Sequence, residues 1–151
     1  MHDIAIIGTG GISDSHIQAY LQFPEKCRIV ALVDIYPQKA VQKAERYGLN
    51  AKVYSDHKDL INDGNFDLAS VCTPPYVHAD IAINVLKAGK HVLVEKPMAT
   101  SLKECDQMIQ AMQASGKLLS VVAQNRFKTP LWNLKQLIDR NVIGKIVHAQ
   151  V

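Results

Sequence analysis

A group of glycines near the start of the chain has the residue types and spacing of a ligand-binding turn. An apolar run over residues 4–7 is followed by Gly8-Thr9-Gly10-Gly11 and then, from Ile12, by a helical pattern. In such a strand–turn–helix unit the first glycine permits a tight turn, and the second lets a bound group approach the backbone. The helix then directs unpaired N–H groups and a positive dipole end at that group. The stretch therefore predicts a pyrophosphate site.

A second feature in register strengthens this interpretation over the alternative of a simple glycine-rich turn. The next apolar run, residues 28–33, ends on Asp34, roughly 20 residues after the glycines, where a carboxylate accepts hydrogen bonds from ribose hydroxyls. Ser13 stands where the dinucleotide-binding pattern usually has Gly or Ala, which adds a hydroxyl where helix and strand approach closely. The glycines and Asp34 together predict a dinucleotide site.

Two further polar stretches follow predicted strands: Thr73-Pro74-Pro75 and Glu95-Lys96-Pro97. Ligands of open parallel sheets lie beyond the carboxyl ends of the strands, so Thr73 and Lys96 can reach one cofactor. Moving a hydride to or from an alcohol carbon also requires moving the hydroxyl proton. A lysine held by a proline-stiffened turn can hydrogen-bond that oxygen. We therefore predict that Lys96 is catalytic; the alternative is a surface lysine paired with Glu95.

The elements that must position these residues alternate about six times between strand and helix. Predicted strands cover residues 4–7, 28–33, 51–54, 67–72, 91–94 and 118–123, and predicted helices include residues 12–21, 37–47, 56–61 and 77–88. Nearly every strand is apolar throughout, which is typical of a parallel sheet covered by helices on both faces. The pattern predicts an α/β, doubly wound Rossmann fold with strand order 3-2-1-4-5-6.

Apolar spacing along the helices predicts which side chains are buried. We expect Ile17 and Leu21 to face the core from the first helix, and Val41 and Ala44 from the second. Ser101 and Glu104 form a capping box that starts another helix. The buried stripe predicted for that helix consists of Leu102, Cys105, Met108, Ile109 and Met112.

The alternation changes at Gln124. A helix with Leu131, Leu134 and Ile138 on one face is predicted there, followed by a strand over residues 145–151. We expect residues 1–123 to form a dinucleotide-binding domain. We expect residues 124–151 to be the connecting helix and first strand of a second, α+β domain that is cut off.

Composition excludes several other classes of function. The 151-residue chain is 48% hydrophobic and carries a formal charge of +3 without basic runs, so it has no electrostatic footprint for nucleic acid. Its three cysteines form no C-x-x-C pair, and its histidines show no metal spacing, so we expect reduced thiols and no metal. Neither a secretory signal nor a membrane-spanning length is present. We therefore expect a cytoplasmic protein without a membrane partner.

Three motifs, GTGGIS, TPPYVH and VEKP, together resemble the Gfo/Idh/MocA family of nicotinamide-dependent oxidoreductases, and the resemblance runs from Ile4 to about Val151. It implies that Lys96 faces the substrate hydroxyl beside the nicotinamide, with Glu95 and Pro97 shaping the pocket. It also places His78 near the cofactor; the alternative is a surface or packing residue. The implied cofactor-binding residues are Gly8, Thr9, Gly10, Gly11, Ile12, Asp34, Ile35, Cys72, Thr73, Pro74, His78, Glu95, Lys96, Pro97, Asn125 and Arg126. Pro75 departs from the family's usual Asn, so any hydrogen bond from that Asn is lost.

The resemblance implies an oxidoreductase acting on a sugar, cyclitol or nucleotide-sugar carbon, with homo-oligomers formed through the second domain. We expect NAD rather than NADP, because Asp34 would repel a 2′-phosphate, and Ile35 and Tyr36 after it offer no Arg or Ser to hold one. The alternative is that Lys39, one turn into the second helix, holds the phosphate. The alternative is a non-catalytic NAD-binding sensing or regulatory module. A methyltransferase using adenosylmethionine would explain Gly8, Gly10 and Asp34 but not the Glu-Lys-Pro motif.

Overall fold

The sheet has six strands, all parallel, in the order β3-β2-β1-β4-β5-β6. It is described here from a computed structural model that covers residues 1–148 and 150. The strands are β1 (His2–Ile7), β2 (Cys27–Val33), β3 (Lys52–Tyr54), β4 (Leu68–Val71), β5 (His91–Val94) and β6 (Leu119–Val121). This is the predicted doubly wound arrangement, and the predicted strand order is confirmed.

Six helices connect and follow the strands. They are α1 (Ser13–Leu21), α2 (Pro37–Tyr47), α3 (His57–Asp63), α4 (His78–Lys87), α5 (Leu102–Ser115) and α6 (Thr129–Asp139). Local chemistry sets their ends: Pro37 occupies the first turn of α2, and Gly48 at φ 62° ends it. The Ser101 side chain accepts a hydrogen bond from the Glu104 N–H, which confirms the predicted N-cap of α5.

The alternation of side chains along the strands fills two cores, one on each face of the sheet. In β1, Ile4 and Ile6 pack with Ile17 of α1 and Ala40 of α2. Ala5 and Ile7 face the other way, into the core made with α3, α4 and α5. Because both faces are covered, every residue from Ile4 to Ile7 is buried. β1 is therefore fixed at the centre of the sheet.

Four strands end in register on one edge of the sheet. Ile7 of β1 lies between Val33 of β2 and Val71 of β4, and Val94 of β5 lies beside Val71. The residues that follow these four are Gly8, Asp34, Cys72 and Glu95, which therefore form a second row just beyond the strands. This edge is where ligands of such sheets bind.

Four side chains that were predicted to be buried are exposed: Leu21, Val41, Leu102 and Ile109. In α2 the covered stripe contains buried Ala40 and, as predicted, Ala44, which packs against the same core, whereas Val41 lies outside it. In α5 only Met108 is fully buried, and Leu102 is 85% exposed. Apolar spacing identifies the apolar side of a helix but not how much of that side its neighbours cover.

The chain after residue 123 differs from the prediction. α6 is present, but Leu131, Leu134 and Ile138 are exposed. Residues 145–148 and 150 form no strand, because no described strand pairs with them; Ala149 and Val151 of the predicted strand lie outside the described residues. Within the residues that the structure describes, no helix is long and apolar enough to cross a membrane.

Gly8 is the glycine with the strictest steric requirement, and replacing it should be costly. Its φ is +90°, and a Cβ there would lie 2.8 Å from the Cys72 carbonyl carbon and 2.9 Å from the carbonyl oxygen. We expect Gly8→Ala to lower the free energy of unfolding by about 3 kcal/mol or more, from backbone strain and overlap together.

Gly48→Ala is the matched control, because Gly48 also has a positive φ but has no described atom within 4 Å of an added Cβ. It should cost about 1–2 kcal/mol. Urea unfolding of both variants measures the difference. Equal losses would mean that the contact between Gly8 and Cys72 is not tight.

Candidate active site

The glycine loop accommodates Ser13 without opening. Ser13 is fully buried, and its hydroxyl donates a hydrogen bond of 2.6 Å to the Gly10 carbonyl oxygen. The Ser13 N–H donates to the same oxygen at 3.2 Å. The hydroxyl that departs from the usual pattern therefore closes the loop on itself.

The outer side of this loop is open. Among the described residues, no atom lies within 4 Å of a Cβ added at Gly10 or Gly11. The N–H groups of Gly10, Gly11 and Ile12 donate to no described carbonyl or side chain, and they precede the first residue of α1. Unpaired amides at the positive end of a helix beside open space fit a phosphate group.

Asp14, in the first turn of α1, would repel a phosphate if its charge were unopposed. Its carboxylate accepts hydrogen bonds from Lys43 Nζ at 2.6 Å and from the Tyr47 hydroxyl at 3.0 Å. The hydrogen bond from Lys43 is the main cause that lowers the pKa of Asp14. The negative charge is therefore paired with a cation from α2, which also places Lys43 within 3.4 Å of the Gly10 carbonyl.

Asp34 is tied to the glycine loop. Its Oδ2 accepts hydrogen bonds from the Thr9 N–H at 2.9 Å and the Thr9 hydroxyl at 2.7 Å, and Oδ1 accepts one from the Tyr36 N–H at 3.0 Å. Partial burial acts to raise the pKa of Asp34, but these hydrogen bonds outweigh it and hold the pKa below its usual value. Asp34 is therefore a fixed anion beside the loop. Ile35, which follows it, is exposed.

The residues after β4 are held closely against the loop. Cys72 is buried, and burial, with a smaller effect of the Glu95 charge, raises the pKa of its thiol to about 12. It is therefore an uncharged side chain and not a nucleophile. The Thr73 hydroxyl is buried, and in the described chain it has no hydrogen-bond partner, while Pro74 beside it is exposed. A donor without a partner at this edge is consistent with a site that a bound group completes.

His78 does not offer a ring nitrogen to a ligand in this structure. The ring is fully buried, with Nδ1 2.9 Å from the Pro97 carbonyl oxygen and Nε2 2.7 Å from the Thr73 carbonyl oxygen. It joins the turn after β4 to the turn after β5. We predicted His78 near the cofactor, and this stays a prediction; the structure shows its ring in contact with both turns.

Lys96 is exposed at the carboxyl end of β5, and the peptide bond that joins it to Pro97, also exposed, is cis. The ammonium group makes no ion pair within the described part of the chain. The alternative of a surface pair with Glu95 is not what the structure shows, because Glu95 is buried and its carboxylate binds other groups. The Lys96 amine is therefore free to meet a ligand.

A buried histidine that we did not predict contacts Glu95. His16 Nε2 lies 2.9 Å from Glu95 Oε1, and Nδ1 lies 2.8 Å from the Ser70 hydroxyl. The Lys96 N–H donates to the other Glu95 oxygen at 3.1 Å. The available signal was the position of His16 on the buried side of α1, beside Ile17 and one turn after Ser13.

Asn125 and Arg126 lie in a single 3-10 turn, Gln124–Phe127, after β6, and both are exposed. Their backbone groups bond only to Lys128 and Ala123. β6 pairs with β5, so they follow the same edge of the sheet as Lys96, but no hydrogen bond joins them to the other predicted residues within the described chain. No group of three or more His, Cys, Asp or Glu suited to a metal occurs among the described residues.

Comparisons with known proteins agree with this geometry. Residues 2–123 match the family GFO_IDH_MocA, described as "Oxidoreductase family, NAD-binding Rossmann fold". An inositol 2-dehydrogenase from Salmonella typhimurium is 32% identical over 96% of this chain and 44% of its own length. A myo-inositol 2-dehydrogenase from Thermotoga maritima is 30% identical over 94% of this chain and 42% of its own length.

The WlbA dehydrogenase from Bordetella pertussis, solved in complex with NADH and UDP-GlcNAcA, superposes with a TM-score of 0.90. It is 35% identical and covers 95% of this chain, which covers 43% of that structure. The chain thus spans less than half the length of the relatives that it matches. Because the family match includes the glycine loop, Asp34 and Lys96, the chain belongs to the GFO_IDH_MocA family of oxidoreductases, with an NAD-binding Rossmann fold.

Proposed function

We propose that this chain is the cofactor-binding part of an NAD-dependent oxidoreductase that acts on a hydroxyl or keto carbon. The observation that carries the proposal is the row of residues at the carboxyl edge of the sheet. The open amides of the glycine loop, the fixed Asp34 anion and the exposed Lys96 all lie along that edge. The amides would bind the pyrophosphate and Asp34 a ribose hydroxyl of a dinucleotide. Lys96 would bind a hydroxyl of a polyol beside it.

The residues along this edge of the sheet fit NAD. The N–H groups of Gly10, Gly11 and Ile12 would hold the pyrophosphate at the start of α1. Asp34 would accept a hydrogen bond from the adenosine ribose, since its three present bonds leave one acceptor position of the carboxylate. When bound, NAD supplies the hydride acceptor, or in the reverse direction the donor. Thr73 would line the same edge with its unpartnered hydroxyl.

Lys96 supplies the other half of the chemistry. Oxidation of an alcohol to a ketone removes a hydride from carbon and a proton from oxygen. Lys96 would hydrogen-bond the substrate oxygen, which orients it. As a neutral amine it would take the hydroxyl proton during oxidation and become an ammonium, and as an ammonium it would return that proton during reduction. No described carboxylate pairs with its side chain, so Lys96 is free to contact the substrate oxygen.

We propose a cyclitol or sugar as the substrate class. The inositol dehydrogenases named above support this, as does the nucleotide sugar in the WlbA structure. Residues 124–151 are proposed to belong to a second, substrate-facing unit, because the family match ends at residue 123 and α6 is exposed along its length. That unit is also the proposed site of homo-oligomer contacts.

The preference for NADH over NADPH follows from Asp34. A 2′-phosphate beside this carboxylate would face about 4 kcal/mol of repulsion per unit pair at about 4 Å and an effective dielectric near 20. Salt and rearrangement remove most of this, and a remaining ~2–3 kcal/mol corresponds to roughly a 30- to 150-fold tighter Kd for NADH. Fluorescence titration of the chain with NADH and NADPH measures the ratio.

The preference should also depend on pH in a defined direction. Asp34 stays ionised from pH 8 to pH 5 because its hydrogen bonds hold its pKa below the usual value of an aspartate. The 2′-phosphate loses one negative charge below about pH 6. The ratio of the Kd for NADPH to the Kd for NADH should therefore fall between pH 8 and pH 5. Asp34→Ala should give a small ratio that changes little with pH. Failure to bind NADH at all would contradict the proposed function, and an unchanged ratio in Asp34→Ala would show that Asp34 does not face the ribose.

Replacing Lys96 should separate chemistry from cofactor binding. In the complete protein, we expect Lys96→Met to lower kcat for oxidation of myo-inositol or a related polyol by about 10²- to 10⁴-fold. The Kd for NADH should change little, because the amine acts on the substrate oxygen. The measurement is steady-state NADH formation together with NADH titration.

Lys103→Met is the control, since Lys103 is an exposed lysine on α5. It should behave like the unsubstituted protein. Normal turnover by Lys96→Met would remove Lys96 from the mechanism. Tight NADH binding with no turnover of any polyol, sugar or nucleotide sugar would favour a binding module over an enzyme.

A further inference from the structure

A chain of hydrogen bonds runs through the protein interior and ends at the backbone of Lys96. The Tyr20 hydroxyl lies 3.1 Å from Ser70 Oγ, which lies 2.8 Å from His16 Nδ1. His16 Nε2 lies 2.9 Å from Glu95 Oε1, and Glu95 Oε2 accepts the Lys96 N–H at 3.1 Å. The chain joins α1, β4 and the turn after β5. Apart from Glu95, which the family resemblance implies as a cofactor-binding residue, its internal members have no place in the proposed cofactor site.

The internal members of this chain are almost completely removed from water. His16 is 8% exposed, Glu95 6% and Ser70 0%. A carboxylate in such a place is stable only when donors satisfy it, and removing one donor leaves a costly unpaired charge. Glu95 has two side-chain hydrogen bonds within the described chain, one from His16 and one from the Lys96 N–H. His16 is thus the only side chain among them that fixes this carboxylate.

The direction of the hydrogen bond between His16 and Glu95 is determined by chemistry. A carboxylate only accepts, so His16 Nε2 must carry the proton and donate it. Ser70 on the other side of the ring then fixes the orientation of the imidazole, and Tyr20 in turn contacts Ser70. Each group is oriented by the one before it, and the last group oriented is the Glu95 carboxylate.

A serine, a histidine and a carboxylate in a row also occur in nucleophilic enzymes. That role does not fit here, because Ser70 is fully buried in the middle of β4 and no substrate can reach its hydroxyl. The consequence of the arrangement lies at its other end, where the Glu95 carboxylate holds the backbone of the exposed lysine.

We propose that His16 is a positioning residue for Lys96: through Glu95 it fixes the backbone from which the Lys96 side chain projects and keeps the carboxylate away from the ammonium group. The proposal rests on the proposed function of Lys96. His16 lies on α1, the helix that follows the glycine loop. Lys96 itself remains the catalytic residue.

Two substitutions of His16 distinguish positioning from packing. In His16→Gln, the side-chain amide offers a donor to Glu95 and an acceptor to Ser70 at a separation similar to that of the ring nitrogens. In His16→Leu, the site is filled by an apolar side chain of similar size and both hydrogen bonds are lost. If His16 only packs, the Lys96 amide exchange and the kcat of His16→Leu should be at least as close to those of the unsubstituted protein as the values of His16→Gln, since a buried polar group is replaced by an apolar one. Positioning requires the opposite order.

Amide hydrogen exchange of the unliganded 151-residue chain gives the first readout. We expect the Lys96 amide to exchange at least about tenfold faster in His16→Leu, because Glu95 is no longer held in place to accept its hydrogen bond. The Glu95 amide is an internal control, because it donates to the Val71 carbonyl at 3.0 Å in the sheet ladder. It should change by less than about twofold, and His16→Gln should restore slow exchange of Lys96.

Turnover of the complete protein gives the second readout. We expect kcat to fall by about 10- to 100-fold in His16→Leu, with little change in the Kd for NADH or in KM, and to recover most of the loss in His16→Gln. Should His16→Leu fail to fold, Ser70→Ala takes its place. It removes the hydrogen-bond partner of His16 Nδ1 and of the Tyr20 hydroxyl but leaves the bond between His16 and Glu95, so it should give a smaller change of the same kind in both readouts.

Equal acceleration of the Lys96 and Glu95 amides would indicate general destabilisation and overturn the proposal. Normal exchange and normal kcat in His16→Leu, or in Ser70→Ala where that variant is used, would overturn it as well. The exchange measurement needs neither cofactor nor substrate. A protein without hydride transfer but with selective release of the Lys96 amide would therefore refute the proposed function while supporting the positioning of Lys96 by His16.

Discussion

The position of β1 between β2 and β4 is the constraint on which the other features of this structure depend. β1 is buried on both faces, and its last residue, Ile7, pairs with the last residues of both neighbours. The chain leaves β1 toward one side of the sheet and returns later to the other, so the turn at Gly8 lies where the direction of winding changes. An opening above this turn is a geometric consequence of the topology. The chemistry of the site comes from the residues that follow the four aligned strands.

The charges of the site are held in place before any ligand binds. Asp34 accepts three hydrogen bonds, two of them from Thr9 in the glycine loop, and Asp14 is paired with Lys43. Both carboxylates have lowered pKa values, so both stay ionised over the physiological range. Because their partners belong to the loop or to α2, a ligand meets fixed dipoles and charges that need little reorganisation. The glycine loop and α2, which carry these partners, are themselves parts of the packed fold.

The sequence was sufficient for the sheet and for the residues along its edge, but not for the residues behind them. Short apolar runs separated by helices predict parallel strands, and polar residues after each run mark the edge, which is why Asp34 and Lys96 could be placed. Exposure of Leu102 and Val41 was missed because periodicity carries no information about the size of the covering neighbours. The contacts of His16 were also missed. They join residues 54 and 79 positions apart, and only the tertiary arrangement determines which side chains meet over such separations.

Glu95 and Lys96 are adjacent in the sequence and opposite in charge, and their side chains have opposite environments. β5 continues its ladder through the Glu95 N–H, so the Glu95 side chain is directed into the interior and that of the next residue to the surface. A buried carboxylate without a donor would be unstable, and His16 supplies one. The exposed ammonium group is therefore left without its nearest counter-ion. The alternation of side chains along the strand separates Glu95 from Lys96, and His16 from a distant helix binds the Glu95 carboxylate. Lys96 therefore remains free to act on a ligand although an acid precedes it in the sequence.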